Sequence, residues 1–153
     1  MNRETLFWTC EDEEPCEALE KIDLGDGMDA SIFLHGVCGI FALALHEMFG
    51  YELWVVAFEP ENWGDEDDTW ANRLVHIYCQ KDDCYIDVRG ITHDREAFFD
   101  EFADFLYGDD EYIDVPAADL RDWISGLMSS EEYAFFHDAA IKLIQEHYSE
   151  YQV

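Results

Sequence analysis

The stretch CGIFALALHEMFGYELWVVAF, Cys38 to Phe58, limits the possible folds more than any other part of the chain. Its first half repeats apolar residues at helical spacing through Phe41, Leu45, Met48 and Phe49, and Ala42 and Ala44 allow close packing around them. Gly50 follows where such a helix must stop, because a residue without Cβ enters the left-handed conformation of a helix end most easily. Tyr51 to Phe58 is then β-branched, aromatic and almost continuously apolar. A strand of that composition is covered on both faces, so it is predicted to be central. The spacing therefore predicts a buried helix over Cys38–Phe49 feeding directly into an inner strand.

Flanking signals extend this pattern. Pro15 before CEALEKI predicts a short first helix, with Gly25 beyond its end. PENWGDEDDTWAN, 60–72, reads as a surface loop. RLVHIYC and CYIDVRG read as two strands separated by a few polar residues. Thr92 is placed to cap a helix reaching about Tyr107, with Phe98, Phe102, Phe105 and Leu106 on its apolar side. EYIDV, 111–115, is a further strand candidate, and Pro116–Ile124 a short helix. Ser129 and Glu132 have the spacing of a capping box for a last helix over about 130–150, with Phe136, Ala140, Leu143, Ile144 and Tyr148 on its apolar side. A helix, three strands and then helices give an α+β class, with a helix packed on a small antiparallel sheet. One domain over 1–153 is expected, its core at about 31–90 and a C-terminal helical part at about 92–150.

The charge balance narrows the functions. There are 37 acidic residues against 8 basic ones, a formal net charge of −29. Binding to a nucleic-acid backbone needs clustered Lys and Arg, so direct nucleic-acid binding is disfavoured, and an anionic membrane surface repels the chain. The acid favours a hydrated, soluble surface, much of it in loops such as EDEE at 11–14 and DEDD at 65–68. It also fits attraction to a basic partner or mimicry of nucleic-acid charge. Five cysteines, Cys10, Cys16, Cys38, Cys79 and Cys84, argue against a fully paired secreted scaffold. No signal-peptide pattern opens the chain and no apolar run is long enough to span a bilayer, so reduced thiols and a cytoplasmic location are expected.

The hairpin carries the chemistry. With Lys81-Asp82 as its two-residue loop, Cys79 faces Cys84 and His76 faces Asp87, within hydrogen-bonding reach. With Asp82-Asp83 as the loop, His76 faces Arg89 and the pair is lost as direct neighbours. Alternation puts His76, Tyr78, Tyr85 and Asp87 on one face and Val75, Ile77, Ile86 and Val88 on the other.

A cysteine opening a helix in GVCGIFALAL, a strand histidine in LVHIY and an aspartate in YIDVRG together resemble the papain-like superfamily of cysteine enzymes, in its NlpC/P60-like or transglutaminase-like branches. The resemblance spans about Leu34 to Gly90. It implies a papain-like core and a Cys38-His76-Asp87 triad acting on an amide or thioester carbonyl of a protein or peptide substrate. A helix start and a nearby imidazolium both lower a thiol pKa, so Cys38 is expected as a thiolate nucleophile, His76 as its proton partner and Asp87 as the group that orients the ring. The Cys38 backbone N–H is a natural oxyanion donor, and His35 a second candidate. Trp54, Trp63 and Trp70 are candidates for a cleft wall, though Trp54 on a strand also reads as core. The recognisable papain-type glutamine for the oxyanion hole is missing upstream of Cys38.

Other readings stand beside this one. Cys38 also reads as a buried helix residue, His76 as a half-exposed strand residue and Asp87 as a carboxylate paired with Arg89. His35, Cys38, Cys79 and Cys84 have loose zinc-ligand spacing, but neither a bound metal nor a cofactor is expected. The alternative function is a non-catalytic acidic binding protein, of inhibitor, immunity or nucleic-acid-mimic type, engaging a basic partner.

Overall fold

A computed structural model describes residues 19–34, 36–58, 70–106 and 110–153. Cys10, Cys16, His35, Trp63, residues 15–18 of the expected first helix and residues 60–69 of the expected loop lie outside the described residues. A small hairpin, β1 (Asp23–Gly25) and β2 (Met28–Asp29), precedes α1 (Cys38–Phe49). Then come β3 (Glu52–Ala57), β4 (Leu74–Lys81), β5 (Cys84–Asp87) and β6 (Gly90–Thr92). The chain continues through α2 (Arg95–Asp100), β7 (Glu111–Asp114), α3 (Ala117–Ser125), α4 (Ser130–Glu146) and α5 (Tyr148–Tyr151). Strands β6-β5-β4-β3-β7 form one five-stranded sheet, antiparallel throughout, so the class is α+β.

Helix α1 ends as its sequence dictates: Gly50 takes φ +75° and its amide returns to the His46 carbonyl. Every residue from Cys38 to Leu45 is buried. The reason is that α1 lies between two layers. On one side Cys79 Sγ donates to the Ala42 carbonyl at 3.3 Å, and a Cβ on Gly39 would sit 3.1 Å from Ile77 Cδ1. On the other, Leu120 and Ile124 of α3 close over Gly39, and α4 packs alongside. The opposite face of the sheet is covered by Phe98, Phe99 and Phe102, ringed around His76, Tyr78 and Tyr85. Coverage on both faces explains why Leu53, Val55, Val56 and Ala57 of β3 are all buried. Each such aliphatic side chain contributes about 1.5–3 kcal/mol by leaving water.

Three local expectations are corrected. The helix after β6 runs only from Arg95 to Asp100; Asp94, not Thr92, caps it by accepting from the Ala97 amide. Thr92 instead accepts from the Asp94 amide, and a short 3-10 turn replaces the remaining helix at Ala103–Phe105. The last helix does form on the Ser129–Glu132 capping box but breaks at His147, whose backbone leaves helical geometry. Third, the β4-β5 turn is Asp82-Asp83, with Lys81 opposite Cys84 and Cys79 opposite Ile86. Both loop residues hold positive φ, +49° and +65°, as a type I′ turn requires, and short Asp side chains tolerate that region. Cys79 and Cys84 are therefore not directly opposed, and both are free thiols.

Candidate active site

The corrected register moves the pairing by two residues, an even number, so His76, Tyr78, Tyr85 and Asp87 still share a face. His76 and Asp87 become diagonal rather than direct neighbours. Diagonal side chains are within reach when they are long, and His76 Nε2 lies 2.9 Å from Asp87 Oδ2. Nδ1, the other ring nitrogen, is also buried. The imidazole itself is 0% exposed and stacks on Phe102, with ring centroids 4.4 Å apart.

Asp87 serves a second partner. Its Oδ1 accepts from the Arg89 amide at 2.8 Å and from Nε at 3.1 Å, and its Oδ2 accepts from Nη2 at 2.7 Å. Arg89 is itself fully buried, donates to the Phe98 carbonyl at 3.0 Å and lies 4.7 Å over the Phe98 ring. Burial opposes a charge on Asp87, but the Arg89 guanidinium and the His76 hydrogen bond outweigh it and hold the carboxyl far below the usual carboxylate range. The two partners weighed separately for Asp87, His76 and Arg89, are thus bound at once. The Asp87–Arg89 turn is anchored from the far end of the chain, where the Tyr151 hydroxyl donates to the Val88 carbonyl at 2.7 Å.

Cys38 comes to the same strand by a different route. Lys81 and Cys84 close a two-residue turn and form a hydrogen-bonded pair, so the amides of Lys81, Cys79 and Ile77 all point toward β5. Cys79 still has Ile86 opposite it, but β5 ends at Asp87 before anything can pair with Ile77. The Ile77 amide is directed at the Cys38 thiol instead. The sulfur thus reaches β4 one residue from His76, where the ladder opens, while the imidazole leans to the face away from α1. The structure joins ring to carboxylate and sets the sulfur against the neighbouring amide.

The expected low thiol pKa is corrected. Burial pushes the Cys38 thiol up to about 11; the Ile77, Gly39 and Cys38 amides pull it down, and the Asp87 charge adds to the rise. In the closed site the sulfur is therefore a protonated thiol.

Two recesses flank Cys38. The larger, of about 360 Å³, is walled by Leu34, Phe58, Leu74, Val75, Phe102 and Phe105. The smaller, of about 30 Å³, lies between the start of α1 and Trp123, Leu127 and Met128. Of the tryptophans put forward as cleft walls, Trp54 bonds Glu52 on its own strand and Trp70 packs edge-on against Trp123. Sequence reasoning missed the site roles of Phe102 and Trp123. Phe102 shows only as one aromatic in a run of them, and nothing local says that it folds back onto His76.

His46 is structural, its Nδ1 2.7 Å from the Tyr51 carbonyl. Among the described residues no group of three or more His, Cys, Asp or Glu side chains is arranged to hold a metal ion, and the cysteines of the loose zinc spacing face other partners: Cys79 the Ala42 carbonyl, Cys84 the His93 ring at 3.1 Å. No helix among the described residues is long and apolar enough to cross a membrane. Comparison of the chain with protein-family models, curated proteins and solved structures returns no match.

Proposed function

We propose that this chain is a cysteine-dependent hydrolase or acyl transferase of papain-like type, acting from the cytoplasm on an amide or thioester carbonyl. The observation that carries the reading is the buried His76–Asp87 hydrogen bond of 2.9 Å, one residue along β4 from the amide that meets the Cys38 thiol at the start of α1. Asp87 takes Nε2, so proton exchange with the sulfur falls to Nδ1. Because the resting thiol is protonated, attack is general-base assisted rather than drawn from a standing thiolate. The Cys38 S–H proton passes to His76 as the sulfur bonds the carbonyl carbon. The C–N or C–S bond then breaks, and His76 returns the proton to the leaving nitrogen or sulfur. Water or an acceptor amine then cleaves the acyl thioester. Asp87 fixes the tautomer and favours the transient imidazolium.

The test is intact-mass detection of an acyl adduct after incubation with a phenyl thioester. One acyl group per chain on the native protein and none on Cys38→Ala supports the reading; acylation unaffected by Cys38→Ala overturns it.

A second reading keeps one observation in its favour. The His76 ring is sealed under Phe102 and Asp87 is held by Arg89, which is also how a purely structural polar cluster is built. Under that reading the chain is an acidic binder of a basic protein, and its net charge of −29 does the work. Binding to a basic partner that survives both Cys38→Ala and His76→Gln, without any acyl adduct, selects it.

A further inference from the structure

The larger recess beside Cys38 points to the kind of group the enzyme accepts, an inference that rests on Cys38 being the nucleophile. Its described walls are Leu34, Phe58, Leu74, Val75, Phe102 and Phe105, without a charged side chain among them. A carboxylate entering it would gain no counter-ion from these described walls and would leave water at a cost of several kcal/mol, on a chain already carrying a net charge of −29. At about 360 Å³ the recess is at the lower end of small-molecule sites, which run to about 1,000 Å³. It holds a short chain or one side chain, not a folded segment. Phe102 is shared: one side of its neighbourhood is the recess, and its ring stacks on His76 at 4.4 Å. A chain lying along Phe102 is held beside Cys38, which lines the same recess.

We infer that the recess is an acyl pocket for short, neutral, apolar chains, so that the favoured substrates are amides or thioesters of small aliphatic acids or of apolar side chains. Phe105, 53% exposed, forms the part of its wall that can be removed without opening the core.

The probes are p-nitrophenyl acetate, propionate and butyrate, with the p-nitrophenyl monoester of succinate as the charged counterpart of butyrate. The full chain is expected to gain about fourfold in kcat/KM per added methylene and to turn over the succinate ester at least tenfold more slowly than butyrate. Phe105→Ala, checked for folding by circular dichroism, is expected to lower the gain per methylene. Equal rates across the series, above those of Cys38→Ser, overturn the pocket and leave the nucleophile standing. Rates no higher than those of Cys38→Ser overturn both.

Discussion

His76 and Asp87 meet at 2.9 Å across a diagonal of the β4-β5 ladder, not as directly opposed residues. A direct pair would hold the two Cβ atoms at a fixed short separation. The diagonal instead lets Asp87 sit at the strand end, where it can turn its other oxygen to the Arg89 amide and side chain. One buried carboxylate therefore organises a histidine, an arginine and a turn.

This makes Asp87→Asn costly. The substitution leaves the Arg89 guanidinium buried without its counter-charge, which typically costs about 3–5 kcal/mol. Urea unfolding followed by circular dichroism is expected to show a much lower midpoint with an unchanged slope. A midpoint within experimental error of the parent would mean that the cluster carries no stability.

The same carboxylate sets an acid limit. Its folded pKa is depressed, while in the unfolded chain it titrates near the ordinary aspartate value of about 3.9. Its contribution is therefore fully present above that value and is lost as pH falls through and below it. Thermal midpoints measured from pH 6 down to pH 2 should fall for the parent. In Asp87→Asn they should start lower and fall less, and parallel curves would contradict the assignment.

Cys38 should behave as a buried thiol until a substrate arrives. With the thiol pushed up to about 11, alkylation by iodoacetamide is expected to keep accelerating from pH 8 through pH 10. Peptide mapping separates Cys38 from Cys79 and Cys84. A rate that levels off below pH 8 would mean that His76 already holds the proton in the resting protein, and general-base assistance would then give way to a standing ion pair.

The Asp82-Asp83 turn can be improved. Both residues hold positive φ, which Asn-Gly adopts more readily than Asp-Asp. Asp82→Asn with Asp83→Gly is expected to stabilise the protein by on the order of 1 kcal/mol, read as a higher urea midpoint. No gain, or a loss, would argue against the register that places His76 and Asp87 on the diagonal.

The Ser129 cap is a purely local device. Its hydroxyl accepts from the Glu132 amide at 3.1 Å while Glu132 returns a bond to the Ser129 amide. Ser129→Ala should cost about 1 kcal/mol, and Ser129→Asp should recover most of it. Equal midpoints for all three proteins would remove the cap from the account of α4.

Local chemistry determined a good deal of this molecule from its sequence alone. Apolar spacing and Gly50 placed α1 at Cys38–Phe49, and the continuous apolar run of β3 marked an inner strand. The Ser129–Glu132 spacing started α4, and period-two alternation put His76 and Asp87 on one face whichever loop closed the hairpin. These features depend on neighbours within a few residues, so they are legible without a fold. What followed from long-range contact was decided only by the tertiary structure. The turn at Asp82-Asp83 depends on backbone geometry that either loop residue pair can propose and only the whole sheet selects. The truncated α2 follows from Phe102 turning back to cover His76, and the break at His147 precedes the short helix whose Tyr151 reaches Val88. The protonated state of Cys38 follows from burial at the start of α1, between the sheet and α3, a desolvation that no spacing of residues encodes. A sequence specifies which groups are available; the dielectric around them, and hence their charge, belongs to the packed interior.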